Sequence, residues 1–298
     1  MQNYYKVYGL IIRSELPLQG ISCPDEGVFD VDVVLNSVPK TLANIGYKGI
    51  NFESNDHQFL LKVENVGNYL IENASTIIID VCKDAKNREI ELFLLGSAMA
   101  ALLLQKEIVP FHASAFEYKG EAVLISGISG AGKTTLLQHF VELGYKMLSD
   151  DVSALFVKEG KVNVHPSYPS SKIWEDVVEE YGIDISNEDS VRPGISKFRL
   201  QQIDHFYNYA IPVKKIIVLS SKNSNHFSNS ELQGFDKLKA LQSQIYRPVF
   251  PIAIGKTEIV FKVLQHLAQQ IKLITLERSS NIKLLSSFNF YAESVVLD

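Results

Sequence analysis

The pattern of hydrophobic and polar residues differs between the first 85 residues or so and the rest of this chain. Up to about residue 85, short apolar runs alternate with turn residues (Gly, Pro, Asn and Asp), which is typical of β-strands. The predicted strands are Val7–Ile12, Val31–Leu35, Phe59–Val63, Tyr69–Ile71 and Thr76–Val81. We therefore expect residues 1–86 to form a β-rich N-terminal region and residues 87–298 to form a second unit.

A continuous apolar stretch, Ile90–Leu104, follows the β-rich region. It predicts a buried helix at about Arg88–Lys106 that connects the two units. Glu91 interrupts the stretch, and its length is below the roughly 20 residues that a membrane-spanning helix needs.

The second unit mixes strand and helix patterns, so the predicted fold class is α/β with a mixed sheet. The predicted strands are Ala122–Ser126, Tyr145–Ser149, Leu155–Val157, Val162–Val164, Val213–Leu219 and a tail strand at Leu273–Leu276. The predicted helices are Lys133–Leu143, Trp174–Tyr181, Gly234–Ile245 and Lys256–Ile271, and Ser220–Ser230 is predicted to be a polar loop.

A complete G-x-x-x-x-G-K-[ST] motif lies between the first of these strands and the first helix, at residues 127–134. Glycines let backbone N–H groups turn towards phosphate oxygens, and the helix N-terminus adds partial positive charge. The other interpretation is a glycine-rich turn without a ligand. The context favours a phosphate-binding loop formed by Gly127, Ser129, Gly130, Ala131, Gly132, Lys133, Thr134 and Thr135. Lys133 would neutralise the outer phosphates, and the Thr134 hydroxyl would bind Mg2+.

Asp150 and Asp151 follow Lys133 by 17 and 18 residues, after one helix and one short strand. This spacing predicts that both carboxylates return beside the loop. One can hold Mg2+ and the other can accept a proton from an attacking hydroxyl. A surface turn is the alternative interpretation.

His112 lies 15 residues before Gly127, on a predicted strand that a turn at Tyr118–Glu121 would bring near the loop. It is either a hydrogen-bonded core residue, a phosphate contact or a residue that orients an aspartate. Four further basic residues are candidates for contacts with phosphate or substrate, and they are Lys172, Arg192, Lys197 and Arg247.

Together, His112, the loop from Gly127 to Lys133 and the Asp150–Asp151 pair resemble the catalytic domain of the HPr kinase/phosphorylase family. The resemblance is strong over Phe111–Trp174. It implies a P-loop fold related to ATP-dependent phosphoenolpyruvate carboxykinase, with ATP and Mg2+ as ligands. By resemblance, Asp150 is the base, Lys133 and His112 contact phosphates, Thr134 and Asp151 hold Mg2+, and Arg192 matches a functional arginine.

Two departures from the family pattern bear on the substrate. Thr134–Thr135 replaces the family's Ser-Glu, and Val191–Ile195 keeps only an Arg and a Gly of a second signature, Glu-Ile-Arg-Gly. The chain is similar to shorter family members of peptide-biosynthesis clusters, some of which phosphorylate the C-terminal serine of lasso-peptide precursors. Val7–Leu18 and Val164–Trp174 also resemble that subgroup. We therefore expect a kinase without phosphorylase activity.

Bulk properties are typical of a cytoplasmic enzyme. The formal net charge is −5 over 298 residues, so we expect no nucleic-acid or membrane partner. Cys23 and Cys82 are far apart and have no metal-site spacing. Met1–Lys6 lacks the start of a signal peptide. The oligomeric state is left open, a homo-oligomer included.

The expected function is thus ATP- and Mg2+-dependent phosphorylation of a serine in a peptide or small protein, most simply a ribosomally made precursor peptide. The N-terminal region would help to recognise that substrate. The alternatives are an HPr-type protein kinase, a small-molecule kinase and a nucleotide-binding regulator without transfer activity.

Overall fold

The computed structural model describes residues 2–24, 27–175, 178, 190 and 197–298. It shows a mixed α/β fold, which confirms the predicted class. The described strands are β1 (Asn3–Val7), β2 (Leu10–Ser14), β3 (Ile21–Ser22), β4 (Val31–Leu35), β5 (Tyr47–Lys48), β6 (Phe52–Ser54), β7 (Gln58–Val63), β8 (Gly67–Glu72), β9 (Thr76–Val81), β10 (Val109–Phe111), β11 (Ala113–Tyr118), β12 (Glu121–Gly127), β13 (Met147–Ser149), β14 (Ser153–Lys158), β15 (Lys161–His165), β16 (Ser170–Trp174), β17 (Lys197–Gln201), β18 (Ile211–Lys222), β19 (Ser228–Glu231) and β20 (Lys272–Ser279). The described helices are α1 (Asn87–Phe93), α2 (Met99–Gln105), α3 (Lys133–Glu142), α4 (Gly234–Gln242), α5 (Phe250–Ala253), α6 (Thr257–Gln270) and α7 (Leu285–Val296).

The first nine strands form one sheet in the order β3-β1-β2-β4-β9-β8-β7-β6-β5. Alternate residues are buried in several of its strands, as in β2, where Leu10, Ile12 and Ser14 point inwards. This period-two burial places the apolar side chains on the face that packs against the rest of the protein.

The prediction of one strand over Val7–Ile12 is wrong. The chain reverses at Tyr8 and Gly9, whose φ angles are +52° and +74°, and β1 pairs with β2 as a hairpin. Tyrosine is not a usual turn residue, so the hydrophobic pattern concealed the turn. Tyr8 adopts this conformation because its side chain is buried in the core.

The predicted connecting helix is present, but it contains a π-helical segment. Leu94–Ala98 widens the helix between α1 and α2. The Tyr8 hydroxyl donates a hydrogen bond to the Leu95 carbonyl within this segment, over 3.0 Å. The largest hydrophobic cluster contains residues of the first sheet, of this helix and of the second sheet, so all three share one core.

The second sheet carries the predicted phosphate-binding loop, residues 127–134. Its main order is β10-β14-β15-β18-β12-β11-β13, and β20 pairs with both β18 and β19. Strands β12, β18 and β20 run parallel, so their carboxyl ends meet at one edge of the sheet. Ligands of α/β sheets usually bind at such an edge.

Two further predictions need correction. Trp174 is the last residue of β16, which pairs with β17, whereas Glu175 and Val178, the two other described residues of the predicted helix Trp174–Tyr181, are helical; the rest of that range lies outside the described residues. The tail strand does not close the chain, because α7 follows it and packs Phe288, Ala292 and Val296 against the sheet. Among the helices described, none is long and apolar enough to cross a membrane.

Candidate active site

The phosphate-binding motif forms the turn between β12 and α3. Gly127 has φ +138°, and a Cβ there would lie 2.3 Å from the Leu219 carbonyl oxygen of the adjacent strand. Gly132 caps α3 in the left-handed region, with φ +105°. Only glycine fits both positions without strain, so the loop keeps the shape that lets backbone N–H groups face a phosphate.

Most predicted site residues line one cleft beside this turn. The cleft is lined by His112, Ser129, Gly130, Gly132, Lys133, Thr134, Thr135, Asp150, Asp151, Lys172, Trp174 and Lys197. Gly127 and Ala131 instead lie behind the loop, where the Gly127 N–H donates to Gln244 and the Ala131 carbonyl accepts from Arg278.

Two predicted basic residues do not join the described cleft. The Arg247 guanidinium stacks on the Tyr246 ring at 5.4 Å and is absent from the lining of the cleft as described. Arg192, with the whole Val191–Ile195 segment, lies outside the described residues. Its predicted catalytic role stays a prediction.

Lys133 is buried at the start of α3. Its ammonium donates to the carbonyl oxygens of Gly127 and Ile128 over 2.9 and 3.2 Å, and it lies 3.0 Å from His112 Nε2. Burial lowers the pKa of Lys133, although Asp151 and Asp150 oppose the shift. The ammonium is therefore held inside the loop, where it can contact phosphate oxygens.

His112 joins the loop to the aspartate pair. Its Nδ1 lies 2.9 Å from the backbone carbonyl oxygen of Asp151 and 3.5 Å from the carboxylate oxygen Oδ1 of the same residue. A carbonyl can only accept, so Nδ1 carries the proton, and Nε2 accepts from Lys133. Burial, followed by the nearby Lys133 charge, lowers the pKa of His112, which favours this neutral form. Of the roles open to His112, these contacts favour orienting an aspartate.

Asp150 is only 3 % exposed, and both of its carboxylate oxygens accept hydrogen bonds. Oδ1 accepts from the hydroxyls of Ser114 and Thr134 over 2.6 and 2.9 Å. Oδ2 accepts from the backbone N–H of Lys172 over 3.0 Å. The Thr134 hydroxyl is thus paired with Asp150, not with Asp151 as in the predicted metal set.

Asp151 faces the cleft and keeps 37 % of its side chain exposed. Its backbone is left-handed, with φ +72°, a conformation that aspartate tolerates better than most residues. The Lys172 ammonium lies 3.3 Å from its Oδ2. Burial raises the pKa of Asp151, but nearby positive charge, chiefly the Lys172 ammonium, outweighs burial, and the net pKa is lowered. Asp151 therefore stays ionised.

The first sheet supports this site from behind. The Tyr8 backbone N–H donates to the Ser167 carbonyl over 3.1 Å, and the Tyr8 ring packs edge-on against Tyr168 at 6.0 Å. Tyr168 lies four residues before Lys172 and is buried. The hairpin turn of the first sheet thus fixes the segment that delivers Lys172 to the aspartate pair.

Sequence reasoning missed Ser114 and Gln244, and also Trp174, which lines the cleft. Ser114, which binds Asp150, lies two positions after His112, so the period of a strand could have placed both side chains on the same face. Gln244 binds the N–H of Gly127 and the hydroxyl of Ser126 from 117 and 118 positions further along the chain. No local signal in the sequence marks Gln244.

The residues present fit a magnesium–nucleotide complex better than a metal held by protein alone. In the described part of the chain no three His, Cys, Asp or Glu side chains cluster as metal ligands. The Thr134 hydroxyl and the Asp150 carboxylate do meet, and both are the oxygen ligands that Mg2+ prefers. Mg2+ commonly binds one or two protein oxygens and completes its shell with phosphate oxygens and water.

Comparison with solved structures adds a distant likeness. No family model matches the chain, and no curated protein matches it. Among solved structures, the Hpr(Ser) kinase/phosphatase from Coxiella burnetii is similar at 13% identity, with a TM-score of 0.29, over 62% of this chain and 96% of that chain.

Proposed function

We propose that this protein is an ATP- and Mg2+-dependent kinase that phosphorylates a hydroxyl group. One observation carries the proposal. The two ring nitrogens of His112 contact the Lys133 ammonium over 3.0 Å and the backbone carbonyl oxygen of Asp151 over 2.9 Å, and Nδ1 lies 3.5 Å from the Asp151 carboxylate, so one imidazole links the loop cation to the residue with the cleft-facing carboxylate. This arrangement provides a site for the γ-phosphoryl group next to a site for the proton of the attacking hydroxyl.

In the proposed reaction the acceptor oxygen bonds to the γ-phosphorus, and the bond from that phosphorus to the β–γ bridging oxygen breaks. ADP leaves, and the hydroxyl proton passes to a carboxylate. Loop N–H groups and Lys133 hold the phosphate oxygens, which is the main protein contribution to such transfers. Mg2+, when bound, neutralises charge on the β- and γ-phosphates.

The contacts support a division of roles between the aspartates that differs from the one drawn from the family resemblance. Asp150 is buried and bound to the Thr134 hydroxyl, so it suits the magnesium side of the site. Asp151 is the more exposed of the two and faces the cleft, so it suits the acceptor hydroxyl. Its lowered pKa is no obstacle, because in phosphoryl transfer the base chiefly positions the nucleophile.

The acceptor we propose is a serine of a peptide or small protein, most simply a ribosomally made precursor peptide. The motif resemblance to kinases of peptide-biosynthesis clusters supports this choice. The altered Thr134–Thr135 and Val191–Ile195 segments support transfer in one direction only. An extended peptide could add a strand to an open sheet edge, which is an economical way to bind such a chain.

Mass spectrometry tests the proposal. The protein is incubated with Mg-ATP and either the precursor peptide encoded beside its gene or HPr, and the products are then treated with inorganic phosphate. We expect a gain of one phosphate, about 80 Da, on the peptide alone, and no loss on treatment with phosphate. Labelling of HPr with phosphate-driven reversal would contradict the proposed acceptor and direction. Tight Mg-ATP binding without transfer to any hydroxyl would point to a nucleotide-binding regulator.

A further inference from the structure

The wall of the cleft that faces the phosphate-binding loop is built by β16 and β17. These strands pair antiparallel, with Lys172 opposite Arg199 and Trp174 opposite Lys197. Paired residues of antiparallel strands project from the same face. Lys172, Trp174 and Lys197 line the cleft, while the intervening Ile173 belongs to an apolar cluster on the other face.

The cations of this face differ in their partners. Lys172 is paired with Asp151 over 3.3 Å, and Arg199 is paired with Glu91 over 2.8 Å. The Lys197 ammonium lies 4.5 Å from the centre of the Trp174 ring. Within the described ranges, the Lys197 ammonium has neither a hydrogen bond nor an ion pair, and its contact is with the Trp174 ring. Its three N–H groups are therefore available to a ligand.

Lys197 also lies within electrostatic reach of the proposed transfer site. Burial is the main cause that lowers the pKa of Lys133, and the charge of Lys197 lowers it further. The same charge helps to lower the pKa of Asp151. Two ammonium groups that repel each other in a partly buried cleft are stabilised when an anion binds between or beside them.

Trp174 adds an apolar surface to this cation. Its side chain is 40% exposed, although large aromatic residues are usually more buried. An exposed indole beside an ammonium is suited to a ligand that carries a negative group next to an apolar segment.

We propose that Trp174 and Lys197 form an acceptor subsite that binds an anionic group carried next to the reacting hydroxyl. This inference rests on the proposed kinase function and names its substrate class, an acceptor with a carboxylate or phosphate beside the hydroxyl. The nucleotide phosphates are expected on the opposite wall, where loop N–H groups and Lys133 lie. The anion at Lys197 therefore belongs to the acceptor.

Paired acceptors test the subsite. Two sets of short serine peptides are compared, identical except that Asp in one set is replaced by Asn in the other, and transfer from Mg-ATP is followed by mass spectrometry. We expect kcat/KM to be about 10-fold or more higher for the Asp set, the scale of one charge-assisted hydrogen bond. Lys197→Met should remove this preference, Lys197→Arg should retain most of it, and Lys262→Met, an exposed lysine elsewhere, is the control.

A binding measurement keeps the inference separate from the kinase proposal. Trp174 is the chain's single tryptophan, so its fluorescence reports on this subsite alone. With Mg-ADP present, N-acetyl-seryl-aspartyl amide should shift the emission at lower concentration than N-acetyl-seryl-asparaginyl amide, which has no carboxylate, and Lys197→Met should abolish the difference. This result would support the subsite even if no peptide were phosphorylated. Equal responses to both probes would overturn it. The subsite proposal would also be overturned if the Lys197→Met variant bound Mg-ADP 10-fold more weakly but still preferred the Asp probe.

Discussion

Thr134 Oγ1 donates a hydrogen bond to Asp150 Oδ1 over 2.9 Å. This contact ties the first turn of α3 to the end of β13. It leaves Asp151, the next residue, turned towards the cleft between His112 and Lys172. Two adjacent aspartates thus have different surroundings, so substitutions at the two positions should have different effects.

Asp151→Asn should reduce phosphoryl transfer by about 100-fold or more, because the amide cannot accept the hydroxyl proton. Mg-ATP affinity and the magnesium dependence of the remaining activity should change little. Single-turnover kinetics across a magnesium titration measure both quantities. A variant with the wild-type transfer rate would show that Asp151 has no role as base.

Asp150→Asn should mainly raise the magnesium concentration needed for half-maximal activity, because one anionic oxygen ligand is lost. The same titration measures this effect, and the Asp151→Asn variant is its matched comparison. If instead Asp150→Asn loses transfer at every magnesium concentration while Asp151→Asn shifts the magnesium requirement, the roles inferred from the family resemblance are the correct ones.

Lys133→Ala should weaken Mg-ATP binding severely and leave the fold intact. The ammonium is held inside the loop by the carbonyl oxygens of Gly127 and Ile128, and its removal leaves the outer phosphates without that charge. Isothermal titration calorimetry measures the affinity, and Lys146→Ala, an exposed lysine outside the cleft, is the control. Unchanged affinity with unchanged turnover would refute the phosphate-binding role of the loop.

Gly127→Ala should destabilise the protein, since the added methyl would lie 2.3 Å from the Leu219 carbonyl oxygen of a parallel strand that cannot move freely. Gly160→Ala, at φ +75° in open space, has the backbone strain without the clash. We expect Gly127→Ala to cost at least about 2 kcal/mol more than Gly160→Ala in urea unfolding. Equal costs would mean that the loop adjusts to the methyl group.

Glu53 should make stability depend on acid pH. Hydrogen bonds from Lys62, the Leu42 backbone and Thr41 lower the pKa of this carboxylate from 4.5 to about 2. A carboxylate whose pKa is lower in the folded state than in the unfolded state stabilises the fold fully at pH values above its unfolded-state pKa. This stabilisation is lost as the pH falls through the folded-state pKa. Wild type should therefore exceed Glu53→Gln in stability at pH 7, and the difference should shrink from about pH 4.5 towards pH 2. Urea unfolding at several pH values measures it, and a constant difference would contradict the assignment.

The sequence by itself determined the local parts of this protein. The glycines of residues 127–132 and Lys133 form a loop and the start of a helix. Because the shape of this segment depends on residues that are neighbours along the chain, the phosphate-binding motif could be predicted from the sequence. Helix Lys256–Ile271 agrees closely with α6 because its apolar period is long and regular, and strand Thr76–Val81 agrees with β9 because its short apolar run lies between turn residues. The hairpin at Tyr8–Gly9 could not be predicted from the sequence, since its turn places a buried tyrosine where turn residues usually occur.

Only the tertiary structure decided which side chains meet. The sequence Asp150–Asp151 does not show which of the two carboxylates binds Thr134. In the structure, Asp151 has a left-handed backbone and contacts Lys172 and His112, and this leaves Asp150 to bind Thr134. Gln244 contacts the phosphate-binding loop from a segment 117 residues further along the chain, and no periodicity in the sequence predicts this contact. Local conformation follows from neighbours along the chain, whereas contacts across strands depend on how the whole sheet is ordered and packed.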